Sequence, residues 1–437
     1  MREGRPAASA VLAAPAGRSM RERLQATLRR GQEALSPRVL RRALAELQAV
    51  VDARASEVEG GRRARAFAAW YATAPAEERR DAWLLMSEQF GPDPKKIKSA
   101  REHYELSQGT AEEGAAEIRL RRALVSPRAR LLQRFATFPE GMRFLVDLRA
   151  ELLPQLKGDK RLIPLDAELE TLFSTWFDVA FLELRRLSWD SPASLLEKLI
   201  KYEAVHDIRS WGDLKNRLDS DRRCYAFFHP RLDGEPLIFV EVALTDSMSD
   251  SITPLLDEQA AVSDLAKATT AIFYSISNTQ TGLRGVSFGD SLIKRVVETL
   301  KDEFPRLKTF ATLSPIPGFR AWLARQVPAE KLAQWDKPLE LGPRSAEREE
   351  LLAWAARYLG KETQDGKPYD PVARFHLGNG ARVERLNWAG DPSAKGLKQS
   401  FGLMVNYLYD PRRLDKHRTM LSQGEIPISG SIEDLYR

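Results

Sequence analysis

The stretch AIFYSISNTQTGLRGVSFGDSLIKRVVETLKDEF, residues 271–304, decides the fold of the second half of the chain. It opens on a short β-branched and aromatic run, as strands do, and closes on a helical stripe of Leu292, Ile293, Val296, Val297, Leu300 and Phe304. Between them lie Gly282, Gly285 and Gly289. Glycines between a strand and a helix N-terminus let backbone N–H groups approach an anion, and the helix dipole adds partial positive charge there. An ordinary strand-to-helix turn also uses glycine, so both readings stand at this point. No Gly-Lys-Ser/Thr follows, which excludes a Walker loop.

Outward from this unit the texture is that of strands. PLIFVEVALT (236–245), KTFATLS (308–314), ARVERLNWA (381–389) and GLMVNYLY (402–409) are short, β-branched and aromatic. The first 190 residues read instead as successive helices. SPRVLRRALAELQAVV offers Ser36 as N-cap, Pro37 at the first helical position, and Leu40, Leu44, Leu47 and Val51 on one face, with Leu35 placed to staple onto Leu40. Further helical patterns carry Phe67, Trp70 and Tyr71, then Trp83, Leu84 and Phe90, then Leu169, Leu172, Phe173, Trp176 and Phe177. The predicted plan is a two-domain α+β protein, with an all-α helical bundle over 1–175 and an α/β domain over 176–437.

Composition narrows the class. The formal charge of +6 arises in residues 1–50, which hold ten Arg against four Glu, so the remaining 387 residues balance at 57 basic and 57 acidic. A nucleic-acid binder is therefore not expected, and the basic start reads as a solvated helix face. The single Cys224 excludes an intrachain disulfide framework and a thiolate metal site, and it fits a reducing, cytoplasmic setting. No window approaches 18 uninterrupted apolar residues, so no membrane span is expected. Residues 1–19 are Arg-containing, Ala-rich and nearly free of acid, which suits a transit peptide or a disordered start, the latter being favoured.

Candidate site residues follow from two kinds of placement. In LSPIPGF (313–319), Pro315 and Pro317 hold Ser314 and Ile316 away from helix, so the Ser314 hydroxyl is rigidly placed. The five histidines are the candidates for proton transfer near neutral pH. His103 is expected at the surface of the helical half, His206 at a helix end, and His417, flanked by charges, exposed. His229, before a Pro and a Gly turn, reads as a structural turn residue or as lining the site. His376, between Phe375 and a GNG turn, is expected on a strand end facing a pocket. None pairs at metal-ligand spacing, and HExxH is absent.

Several of these segments belong together. SPIPGF, SISNTQTGLRGVSFGDSLIKRVV, FHLGNG with NW and MVNY, RRCYAFFHP and EPLIFVEVALT resemble malonyl-CoA decarboxylase, continuously from about Trp189 to Tyr409. RGVSFG also resembles the R-x-x-G-x-G loop by which CoA-dependent acetyltransferases hold pyrophosphate, with Ser287 where that pattern has its first glycine. The resemblance implies an N-terminal helical oligomerisation domain, a C-terminal catalytic domain of acetyltransferase-like fold, and conversion of malonyl-CoA to acetyl-CoA and CO2. It implies Ser314 and His376 as catalytic residues, and Arg284, Gly285, Val286, Ser287, Phe288, Gly289 and Asp290 as the CoA-binding loop. It also implies a homo-oligomer and no metal or other cofactor, since the thioester itself can take up the charge left by CO2. The alternatives are a CoA-dependent acyltransferase on the same fold and a non-catalytic helical adaptor that binds CoA.

Overall fold

A computed structural model describes residues 37–52, 54–286 and 292–436. The chain divides into two compact units, 1–172 and 173–437. The expectations for residues 1–19, Leu35, Ser36 and Ser287 to Asp290 lie outside the described residues.

The first unit is helical. Helices Pro37–Val50, Glu57–Thr73, Ala76–Glu88, Pro94–Ser107, Glu113–Leu124, Pro127–Phe135 and Gly141–Leu152 precede the start of helix Ile163–Trp176. Side-chain caps set several of their starts: Ser56 accepts from Glu59 N–H, Asp93 from Lys95 N–H and Ser126 from Arg128 N–H, the last two followed by proline. Gly141 opens its helix because a Cβ there would stand 1.7 Å from the Phe135 carbonyl oxygen. The core gathers Leu47, Phe67, Leu85, Leu131, Phe135 and Leu145. On the first helix the buried stripe is Leu40, Ala43, Leu47 and Val50, whereas Leu44 and Val51 are half-buried. The apolar face is rotated relative to expectation, and Val51 falls past the helix end.

The second unit is built on a mixed sheet. Strands β1 (Glu183–Leu187), β2 (Arg222–Phe228), β3 (Pro236–Thr245) and β4 (Thr270–Asn278) pair antiparallel in sequence order. β5 (Thr309–Thr312) then pairs parallel to β4, which requires a crossover, and helix Leu292–Glu303 supplies it. That helix buries Leu292, Ile293, Val296, Val297 and Leu300, and Arg295 lies over the Phe227 ring, so it covers the Phe227 face of the sheet. The opposite face of β2 and β3 presents Cys224, Ala226, Phe228 and Phe239 to Leu196, Leu199 and Leu214.

β6 (Ser314–Pro315) follows β5 and leaves it for β10 (Met404–Leu408), with Ser314 opposite Val405. Between them in sequence come helices Phe319–Leu323, Ala346–Gly360 and Pro371–Gly378, the small hairpin β7 (Thr363–Gln364) and β8 (Lys367–Pro368), and β9 (Arg382–Asn387). β10 pairs antiparallel with β5, β6 and β9. Among the described strands β4 and β5 are the one parallel pair, joined by the crossover helix, in a mixed sheet of the kind that the resemblance implied.

One detail of register positions the site. The β4–β5 ladder runs only from Thr270–Phe273 to Thr309–Thr312, and the Leu313 N–H to Phe273 carbonyl bond, at 2.9 Å, is its last link. Beyond it Tyr274–Asn278 continue along β3, while the other chain turns into β6. The two central strands therefore part at Ser314.

Candidate active site

Ser314 and His376, 62 residues apart in sequence, meet at this parting: Ser314 Oγ lies 3.2 Å from His376 Nε2. Both side chains are buried. Ser314 shares a strand face with Thr312, whose Oγ1 accepts the Ser314 hydroxyl at 2.9 Å and the Tyr407 N–H at 3.0 Å. With the Ser314 hydrogen given to Thr312, its oxygen accepts from His376. The imidazole then carries its proton on Nε2, and Nδ1 accepts the Tyr409 hydroxyl at 2.8 Å.

His376 is not on a strand end, as the GNG turn suggested, but in the last turn of helix Pro371–Gly378. Asp370 caps that helix and Pro371 opens it, and the helix bonds carry the chain past His376 before Gly380 turns it with φ +86°. The ring stacks on Tyr407, centroids 4.7 Å apart at 26°, and meets Phe375 edge-on. Burial in this aromatic setting pushes the imidazole pKa down to about 3, so His376 is neutral at physiological pH. Burial likewise raises the Tyr409 hydroxyl, which stays protonated and available as donor. Tyr409 also lines a cavity of about 140 Å³ with Ile293, Val297, Lys301, Asn379 and Leu414.

Of the predicted loop, Arg284 and Gly285 are exposed and Val286 is buried, in the turn that ends β4 and precedes the crossover helix. Gly285 has φ +82°, a left-handed conformation that favours glycine. Among the other histidines, His103 is half-buried on a helix. His206 lies in the loop after helix Ala193–Tyr202, buried, with its pKa lowered to about 4 by that burial. His229 is a turn residue, its Nδ1 accepting the Arg231 N–H at 3.1 Å and its ring against Phe177. His417, expected to be exposed, is buried: its Nδ1 donates to the Gly380 carbonyl at 2.9 Å, next to the turn that follows His376.

Thr312, Tyr409 and Asp370 escaped the sequence reading. The two-residue alternation of strands would have found the first two, since Thr312 and Ser314 share one face and Tyr407 and Tyr409 both reach the imidazole. Asp370-Pro371 was a helix start signal beside the histidine. Among the described residues, no group of three or more His, Cys, Asp or Glu is arranged to hold a metal ion.

The model of the malonyl-CoA decarboxylase C-terminal domain matches residues 180–437, and that of the malonyl-CoA decarboxylase N-terminal domain matches 90–177. The chain belongs to the malonyl-CoA decarboxylase family, a family of enzymes. The goose (Anser anser anser) mitochondrial malonyl-CoA decarboxylase is 38% identical over 396 residues, covering 80% of this chain and 78% of that protein. The mouse (Mus musculus) mitochondrial enzyme is 37% identical over 380 residues, 77% of each chain. Among solved structures, malonyl-CoA decarboxylase from Agrobacterium vitis is 41% identical with a TM-score of 0.82, covering 91% of this chain and 100% of that one. The Rhodopseudomonas palustris structure is 40% identical with a TM-score of 0.80, covering 90% and 99%. The family match thus extends past Tyr409, where the sequence resemblance ended, to the last residue.

Proposed function

We propose that the chain converts malonyl-CoA to acetyl-CoA and CO2, with Ser314 hydrogen-bonding the reacting malonyl group and His376 protonating the enolate. Beyond family membership, the observation that carries this reading is the 3.2 Å contact between Ser314 Oγ and a neutral imidazole at the parting of β4 and β5. In the reaction the bond from the carboxylate carbon to the methylene breaks, and its electron pair moves onto the thioester carbonyl as an enolate. A hydroxyl or N–H aimed at that oxygen is typically worth about 10²–10³ in rate. The pair then returns to carbon, which takes the Nε2 proton, and solvent restores the imidazole.

The neutral state of His376 suits both steps. An imidazolium would bind the malonyl carboxylate and stabilise the ground state against loss of CO2. A neutral N–H donor discriminates less for the carboxylate and can still protonate the strongly basic enolate carbon, as a neutral histidine serves an enediolate elsewhere in enzymology. The Tyr409 hydroxyl on Nδ1 stabilises charge that develops on the ring as Nε2 gives up its proton. Because the thioester takes up the electron pair, the reading needs no metal or organic cofactor.

In the same reading the loop from Arg284 to Asp290 holds the CoA pyrophosphate, supported by the left-handed turn at Gly285 ahead of the crossover helix. The pantetheine arm then reaches Ser314 through the gap between β4 and β6. The helical unit associates with a second copy of the chain, which light scattering on purified protein tests. A reducing cytoplasm suits the single buried Cys224, and localisation of the tagged full-length chain tests that placement. No helix among the described residues is long and apolar enough to cross a membrane. The deciding experiment for the reaction is incubation with malonyl-CoA alone in the presence of a chelator, following both products. Equal release of CO2 and acetyl-CoA is expected. Turnover that appears only with an added amine acceptor would favour an acyltransferase instead.

A further inference from the structure

We propose that Asp370 is a positioning residue that sets the spacing between Ser314 and His376, an inference that rests on the decarboxylase reading. Its side chain is fully buried and its two oxygens serve different segments. Oδ1 accepts the backbone N–H groups of Val372 and Ala373, each at 2.9 Å, and so caps the helix that carries His376. Oδ2 accepts the Tyr358 hydroxyl at 3.1 Å. Tyr358 in turn closes over Gly318, where a Cβ would stand 2.5 Å from the Tyr358 oxygen and 3.8 Å from Asp370 Oδ2. The Gly318 N–H adds a weaker stabilisation of the same carboxylate.

Gly318 follows Ser314 by four residues in the loop that Pro315 and Pro317 stiffen, and His376 follows Asp370 by six along a helix that Pro371 opens. Neither connection has slack, so a displacement at the carboxylate reaches both reacting side chains. A carboxylate suits the position because it accepts several donors at once, and these hydrogen bonds oppose the burial that raises its pKa. Asp370 therefore acts through the loop and the helix, without touching substrate.

Two variants separate this role from simple helix capping. Asp370→Asn keeps an oxygen for the cap, since Asn caps about as well as Asp, but turns a donor toward Tyr358 and Gly318. Tyr358→Phe removes only the hydroxyl. Misplacement of reacting groups by about 1 Å can cost on the order of 10²-fold, so kcat should fall about 10²-fold in Asp370→Asn and about tenfold in Tyr358→Phe. KM for malonyl-CoA should stay within about twofold, acetyl-CoA should bind at full stoichiometry, and the carbon isotope effect on released CO2 should rise as bond breaking becomes rate-limiting. Variants with the wild-type kcat per acetyl-CoA-binding site would overturn the positioning role; should Asp370→Asn not fold, Tyr358→Phe decides alone. A folded wild type with no turnover would sink the decarboxylase reading and this one with it, whereas wild-type turnover alongside unimpaired variants overturns only the positioning role.

Discussion

Around Arg217 the second unit buries charges against one another, while around His376 it buries hydroxyls against a neutral ring. Arg217 Nε donates to Asp213 Oδ1 at 2.7 Å and its Nη1 to Glu241 Oε2 at 3.1 Å, all three side chains being buried. Nearby Glu203 accepts both Ser275 and Ser277 hydroxyls and the N–H groups of Val205 and His206. Burial, reinforced by Glu203, pushes the Glu241 carboxyl up, and the Arg217 cation opposes that shift. Such a cluster is tied to helix Trp211–Arg217, β3 and β4, and no member can turn to a ligand without stranding a charge. The Ser314–His376–Tyr409 chain is packed against the Tyr407 ring, yet its hydrogens can be redirected at the cost of a rotation or a change of tautomer. The first system is suited to holding the sheet together and the second to chemistry.

That contrast can be broken first at the charged cluster. Arg217→Met leaves Asp213 and Glu241 buried without their cation, and should cost about 3–5 kcal/mol of stability by urea unfolding. The fraction that remains folded should keep the wild-type kcat, and a variant of normal stability would show that the cluster does not hold the sheet.

Acidification sharpens the comparison next. His376 and His206 have folded-state pKa values lowered by burial to about 3 and about 4, below the roughly 6.5 of an unfolded chain. The unfolded state then binds protons that the folded state does not, so stability is complete above about pH 6.5 and is lost as pH falls toward the folded values. Each imidazole contributes at most about 1.4 kcal/mol per pH unit in that window. Urea midpoints at pH 7.5, 6 and 5 should fall in sequence, and less steeply in His376→Asn. Equal stability across that range would mean that the rings are not held neutral.

A smaller effect is expected at Tyr409. Tyr409→Phe removes the donor to Nδ1 while keeping the aromatic wall, and loss of one hydrogen bond worth about 1 kcal/mol should lower kcat severalfold with KM nearly unchanged. An unaltered kcat would leave Tyr409 a packing residue. Arg284→Glu should act on KM for malonyl-CoA and hardly on kcat, and an unchanged KM would move the phosphates away from this loop.

Strands β3, β4, β5, β9 and β10 and the crossover helix were legible because their apolar patterns are strong and bounded by turns, whereas the two-residue strands β6, β7 and β8 are too short to show a pattern. β2 was not, because all seven of its residues are buried and no alternation marks it, and β1 reads as charged because it carries Glu183, Arg185 and Arg186 at the sheet edge. Ser314 stood out through its prolines. The placement of His376 was read wrongly because Gly378-Asn379-Gly380 suggested a hairpin, although that turn ends a helix. His417 looked exposed among Asp415, Lys416 and Arg418, yet its ring is directed at the Gly380 carbonyl, a contact that only the fold creates.

The most direct test of the proposed chemistry is a single turnover of malonyl-CoA by wild type, Ser314→Ala and His376→Asn, following CO2 and acetyl-CoA separately, with acetyl-CoA affinity measured on the same samples. CO2 release should fall by about 10²-fold in Ser314→Ala, and acetyl-CoA formation by about 10²-fold in His376→Asn, while affinity is kept, as removal of a preorganised donor or a general acid would give. Near-normal CO2 release by Ser314→Ala, or near-normal acetyl-CoA formation by His376→Asn, would contradict the role assigned to that residue.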